Sequence, residues 1–286
     1  MPACLTHYFF SQNVREDLKD KAELDPCAYA WGAQGPDFFF CHRFLPIWKG
    51  ESLREYGGRL HEERPSKVLG SMRSFLQGHP DPAIQSYVWG FVCHYSLDCT
   101  AHPYINWLAQ ELVKQRPWET PSTMHGEIEG ALDAIVLRYE TGKLPSEVNL
   151  KAMFPKNEGV QRKIARLYRQ VLFDLYGEDV QEEKLVQAMA DAHQVFALVT
   201  DRTGLKKKLF SWVERNRPSV IGSHIVPLTE AEDIDYANTQ NSPWGEEGSC
   251  QSFFDLYGEA QGVAGRILSG FLEGDLAALT EEKPFG

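Results

Sequence analysis

The chain has 286 residues, 43% hydrophobic and 24% charged, the balance of an ordinary globular protein and not of a disordered or fibrous one. Its 29 basic and 40 acidic side chains give a formal net charge of −11, which disfavours long nucleic acids as partners. No run reaches the roughly eighteen apolar residues of a membrane span, and the first residues lack a basic stretch followed by an apolar one, so no signal peptide and a cytoplasmic location are expected.

In chain order the pattern is helical. SQNVREDLKD opens with a cap at Ser11 or Asn13, and SKVLGSMRSFLQG repeats its apolar residues at three and four before stopping at Gly78. The next helix is expected from about Asp81 to Arg116, kinked or divided at Pro103, and another from about Ser122 to Tyr139. EGVQRKIARLYRQVLFDLYG, EEKLVQAMADAHQVFALVTD and GLKKKLFSWVERN read as three further amphipathic helices, and QSFFDLYGEAQGVAGRILSGFLEG as the last. Residues 218–250, rich in Pro, Gly, Ser and Asn, read as a long lid-like connection. No convincing strand is present. The expected fold is all-α, one domain over 1–286, with residues 1–145 forming a metal-binding core and 146–286 a helical C-terminal half. Six cysteines without CxxC spacing are expected as free thiols.

Chemistry concentrates in CHYSLDCTAHPY. Steps of four residues drift by only about 40° on a helix, so His94, Asp98 and His102 share one face. His125 and Glu129 repeat the spacing. A buried, unpaired His or Asp costs several kcal/mol, in rough terms, and imidazole and carboxylate at this spacing converge on one metal ion. His7 in LTHYFF, Asp37 in GAQGPDFFF and His61 in GRLHEE extend the set, although each alone also fits a plainer role: a surface histidine, a helix cap and a solvated helix start. Asp133 is read as a partner behind the second pair or as a solvated residue, with Glu127 beside it. Phe9, Phe38, Phe39, Tyr95, Tyr104 and Trp107 are read as core, with an apolar pocket as the alternative. LKKKLF with Arg202, Arg215 and Arg217 is read as a solvated basic face, with contact to anionic head groups as the alternative. His42, His79, His193 and His224 are left as structural or surface residues.

The ordered set His7, Asp37, His61, His94, Asp98, His102, His125 and Glu129, in the contexts GAQGPD, GRLHEE, GFVCHYSLDCTAHPY and HGEIEG, resembles the zinc-dependent phospholipase C / P1 nuclease family over about residues 1–140. Within it the chain is similar to the signal-less bacterial branch of phospholipase C/D domain proteins. The resemblance implies an all-helical bundle around three zinc ions. Asp37, His61, His94 and Asp98 would hold one and His102, His125 and Glu129 a second. His7, Asp98 and the N-terminal amine and carbonyl would hold the third, with Asp98 bridging. Pro2 lies five residues before His7, so removal of Met1 and ligation by the Pro2 amine are expected. One spacing departs from the secreted phospholipases, which have five residues between the bridging Asp and the next His where this chain has three.

Three zinc ions against three carboxylates leave positive charge that suits a phosphate ester. The expected function is a zinc-dependent phosphoesterase of the phospholipase C type, with zinc-activated water as nucleophile and Asp37 as the residue that orients or deprotonates it. Its expected partner is a phosphoester, phospholipid included, with a transient membrane contact. The alternatives are a nuclease or 3′-nucleotidase of the same fold, or a non-catalytic zinc- or lipid-binding domain. No GxSxG elbow or phosphate loop supports another hydrolase or a kinase.

Overall fold

A computed structural model describes residues 4–18, 23–45, 47–215, 217–229 and 234–286, with no account of the side chains of 17, 18, 151 and 152. Among the described residues there are twelve α-helices and no strand; a lone bridge joins Trp244 to Ser249. No described helix is long and apolar enough to cross a membrane. Pro2 and the expected amine ligand lie outside the described residues.

Helix α1 (Cys4–Leu18) starts seven residues before the Ser11 cap expected from sequence. Leu5, Phe10 and Val14 bury one side of it, and Ser11 lies inside the helix, its hydroxyl donating to the Tyr8 carbonyl. His7 is therefore a helical residue. Helix α2 (Pro26–Ala33) carries no amphipathic period because every residue from Cys27 to Ala33 is buried; Asp25 caps it, with Pro26 at its first position. A turn leads to the four-residue α3 (Phe38–Cys41), and α4 (Arg54–Glu62) and α5 (Pro65–Gly78) follow.

The central element is α6 (Pro82–Gln115), capped by the Asp81 carboxylate, which accepts from the backbone N–H groups of Ala83 and Ile84. It is not divided at Pro103. A proline there removes the donor to the Cys99 carbonyl, but packing against α2, against α7 (Pro121–Thr141) and against α11 (Phe253–Gly270) holds one continuous helix. Tertiary contacts outweigh the local penalty. Where α2 and α6 cross, Gly32 meets Gly90: a Cβ on Gly32 would sit 2.0 Å from the Tyr87 carbonyl oxygen, and one on Gly90 2.4 Å from that of Tyr29. Only glycine allows backbones this close.

The C-terminal half contributes α8 (Glu158–Tyr176), α9 (Glu182–Val199), α10 (Leu205–Val213) and α12 (Leu276–Thr280). Helix α8 packs on α5 and α9, while α9 packs on α3. The core runs through Trp31, Phe38, Phe39, Tyr87, Phe154 and Tyr168. Tyr87 donates to the Gly35 carbonyl (3.1 Å) and shares a hydrogen bond with the Tyr168 hydroxyl (2.7 Å), which fixes the turn after α2 from below.

Candidate metal centre

The eight ligand-type residues singled out in the sequence converge from four helices and one turn. Along α6, His94 Nε2 lies 3.0 Å from Asp98 Oδ2, and His102 Nε2 lies 3.5 Å from Asp98 Oδ1. From α1, His7 Nε2 comes within 3.2 Å of Asp98 Oδ1, while His61 of α4 reaches to 3.6 Å of Oδ2. The two oxygens of Asp98 thus face different histidine pairs, His7 and His102 on one side, His94 and His61 on the other.

Asp37 stands at the start of α3, yet its carboxylate does not cap that helix. Its Oδ1 lies 3.2 Å from His61 Nε2 and its Oδ2 3.8 Å from His94 Nδ1. The turn that delivers it depends on Gly35, whose φ of +51° suits glycine and whose Cβ, if present, would lie 2.1 Å from the His94 ring. On α7, His125 Nε2 is 3.1 Å from Glu129 Oε1, the same oxygen that lies 3.8 Å from His102 Nε2.

The outer nitrogens are the informative ones. Nδ1 of His61 lies 2.7 Å from the Gly57 carbonyl oxygen, Nδ1 of His102 2.7 Å from that of Phe285, and Nδ1 of His125 2.9 Å from Asn106 Oδ1. A carbonyl can only accept, so the proton of His61 and of His102 belongs on Nδ1, and Nε2 presents a lone pair inward. Facing carboxylate oxygens, that lone pair must take up positive charge, either a proton, which makes the ring an imidazolium, or a metal ion. His7 Nδ1, both ring nitrogens of His94 and Asp98 Oδ2 are buried without a hydrogen-bond partner, which calls for the same remedy.

Electrostatics agree. Burial alone would lower the His102 pKa, but Asp98 and Glu129 hold it up at about 9. Against the same burial, Asp37 and Asp98 hold His61 well above its ordinary value. Burial would raise Asp98, yet His102, His94 and His7 keep it well below the usual carboxylate range. Three buried carboxylates therefore demand positive charge, and the N/O donor set suits zinc. His7, His94 and Asp98, then Asp37, His61 and His94, then His102, His125 and Glu129 each bring ligand atoms within 4.8 Å of one another. The residues fit a metal cluster.

The cavity over this cluster measures about 300 Å³ and is walled by Phe40, Phe44, Arg54, Ser122 and His224. The Arg54 guanidinium sits 5.5 Å from the Phe44 ring centre. The profile of zinc-dependent phospholipase C matches residues 6–178, more than half of the chain. The chain belongs to the zinc-dependent phospholipase C family. No curated protein and no solved structure matches it. Family membership makes it a zinc-dependent phosphoester hydrolase by class, and the matched span takes in all eight ligand-type residues.

Phe38, Phe39, Tyr95 and Tyr104 are core, as read from the sequence, with Phe9 and Trp107 packed half-buried against it; the aromatic walls of the cavity are Phe40 and Phe44. Other residues differ from their sequence reading. Asp133 is neither solvated nor behind His125. It is buried and accepts from the Thr6 N–H (2.7 Å) and hydroxyl (2.8 Å), tying α7 to α1 beside His7. Burial pushes it up to about 6. Glu127 accepts from Arg116 and from the Tyr236 hydroxyl. His224, left as structural or surface, lines the cavity from the 3₁₀ turn Gly222–His224, and burial lowers it to about 3. Phe285 lies against His61 and His94. His224 and Phe285 lie far from the ligands in sequence and carry no motif, so no local signal marked them.

Proposed function

We propose that the chain hydrolyses a phosphodiester of the phospholipase C type. Asp37, His61, His94 and Asp98 would hold one zinc, His102, His125 and Glu129 a second, and His7 with Asp98 a third. The observation that carries this reading is Asp98: a single buried carboxylate with each oxygen turned to a different pair of histidines, at the floor of a cavity of ligand size. Bound zinc supplies Lewis-acid stabilisation of the phosphoryl group and makes water acidic enough to attack near neutral pH.

The chain's own residues do the rest. Asp37, whose Oδ1 lies 3.2 Å from His61 and whose Oδ2 lies at a looser 3.8 Å from His94, lines the cavity and is the carboxylate that orients the attacking water and takes its proton. The Nδ1 hydrogen bonds of His61, His102 and His125 hold the rings before substrate arrives. Phe40 and Phe44 exclude water beside the ester, while Arg54 adds positive charge at the mouth.

The test pairs zinc analysis with a panel of phospholipids and 3′-nucleotides, comparing wild type with Asp98→Asn. Bound zinc, phospholipid turnover and a drop of more than about 100-fold in kcat/KM for the variant are expected, since even partners behind metal ligands account for 10–100-fold. Turnover of nucleotides alone would move the assignment to a nucleotidase; a protein that binds no zinc would overturn it.

A further inference from the structure

Ten large hydrophobic side chains are exposed among the described residues, and five of them fall between Leu205 and Val220. Four lie on α10: Leu205 is 66% exposed, Leu209 56%, Trp212 74% and Val213 56%. At 100° per residue these positions fall within an arc of about 100°, one continuous outward stripe.

The helix is tied down at one edge of the stripe by Lys206 and on the opposite side by Lys207 and Glu214. Lys206 Nζ donates to the Leu198 and Thr200 carbonyls (2.8 Å each), and Lys207 Nζ to that of Gly222 (2.7 Å). The Glu214 carboxylate accepts from the N–H groups of Ile221 (2.8 Å) and Gly222 (2.9 Å). The helix is therefore fixed with its apolar stripe outward, which a disordered or frayed segment would not be.

Its charge runs against that of the chain. From Arg202 to Arg217 there are six basic residues and one acidic, in a protein of net charge −11, and the one acid, Glu214, is engaged by backbone N–H groups. Lys208 on the helix, and Arg215 and Arg217 just past its end, are exposed.

We propose that α10 is an interfacial helix that seats the protein on an anionic phospholipid surface, its apolar stripe entering the acyl boundary and its basic residues meeting the head groups. Nine residues are too few to cross a bilayer, and a short amphipathic helix with basic flanks lies in the interface plane. A second copy of the chain fits poorly, because a two-fold contact through the apolar stripe would set its basic flanks against those of the other copy. The position serves the site: the turn that Lys207 and Glu214 hold is the one that carries His224 into the cavity. The docking surface would then bring phospholipid to the cavity, a benefit that rests on the phospholipid reading above.

The test is co-sedimentation of the full-length zinc-loaded protein with vesicles of phosphatidylcholine alone and of phosphatidylcholine doped with phosphatidylglycerol. Binding to the anionic vesicles only, weakened by salt, is expected, with a loss of about fivefold for each of Lys208→Gln, Arg215→Gln and Arg217→Gln. Trp212→Gln with Leu209→Gln should lower it at least as much as one charge removal; these side chains are exposed, so thermal unfolding should match wild type. Equal binding to both vesicles, or unchanged binding by the variants, overturns the inference. So does a dimer that Trp212→Gln converts to monomer. Binding is scored without turnover: a chain that docks but hydrolyses no phospholipid keeps the inference and sinks the lipid reading, and one that hydrolyses dispersed phospholipid but ignores vesicles does the reverse.

Discussion

The carbonyl oxygen of Phe285 lies 2.7 Å from Nδ1 of His102, so the last residues of the chain set the tautomer of a residue in the middle of α6. The segment is held there by the Tyr95 hydroxyl, 2.8 Å from the Lys283 carbonyl oxygen, and by Glu282, which accepts from Arg64 (2.8 Å). Deleting residues 284–286 should weaken zinc binding by about 10–100-fold, the usual penalty for losing a hydrogen bond behind a metal-binding histidine. Phe285→Ala keeps the carbonyl and removes only the ring against His61 and His94, so its loss should be smaller. Competitive zinc titration separates the two, and equal affinity for the truncated and intact chains would defeat the argument.

Gly35 tests the other side of the cluster. Alanine there would carry a Cβ into the His94 ring and would hold φ at +51°, where a side chain is strained. Gly35→Ala should lose roughly 1–2 kcal/mol from the backbone alone. It should lose more zinc affinity than stability, because the His94 ring must move to make room. Denaturant unfolding with and without chelator reads the first effect, and zinc titration the second. A variant with wild-type zinc affinity would show that the turn does not set the position of His94.

How much of this was legible in sequence follows from the range of each interaction. His94, Asp98 and His102 share a helix face, as do His125 and Glu129, so a spacing of four was enough to group them. Joining His7, Asp37 and His61 to them took a resemblance, because tertiary packing alone brings α1, the turn after α2 and α4 onto α6. The short helices α2 and α3 were missed, since a fully buried helix has no amphipathic period and a four-residue helix has no period at all. Pro103 misled in the opposite direction: local chemistry argues for a break, and the packing of α2, α7 and α11 overrides it. Lys206 and Lys207 read as a solvated basic face, yet each bonds backbone carbonyls, a use that no charge count reveals.

Removing the metal should destabilise the fold and not only silence it. Five histidines and three carboxylates crowd together, with His94 and Asp98 buried and short of hydrogen-bond partners. A metal present at 1,000 times its dissociation constant stabilises by about 4 kcal/mol, which for a chain of this size shifts Tm by on the order of 5–10 °C. Calorimetry before and after chelation should show that loss, with recovery on adding zinc. An unchanged Tm in protein shown by analysis to have lost its zinc would contradict it.

His42 predicts an acid-side weakness away from the cluster. Its Nδ1 accepts from the Leu53 N–H (2.9 Å) at the start of α4, the helix that carries His61 and Arg54. Burial lowers the His42 pKa below its ordinary value of 6.5, against the opposing pull of Asp191. The unfolded chain therefore takes up the proton first, so this contribution is complete above pH 6.5 and is lost as pH falls through the lower folded value. Protonation also turns the Nδ1 acceptor into a donor and orphans the Leu53 N–H, a loss of about 1 kcal/mol. His42→Gln keeps an acceptor within reach and does not titrate. Unfolding free energies of metal-free wild type and variant, followed from pH 8 to 5, should diverge from the unfolded pKa downward, the wild type falling faster. Parallel curves would mean that His42 does not couple the end of α3 to the start of α4 through its protonation.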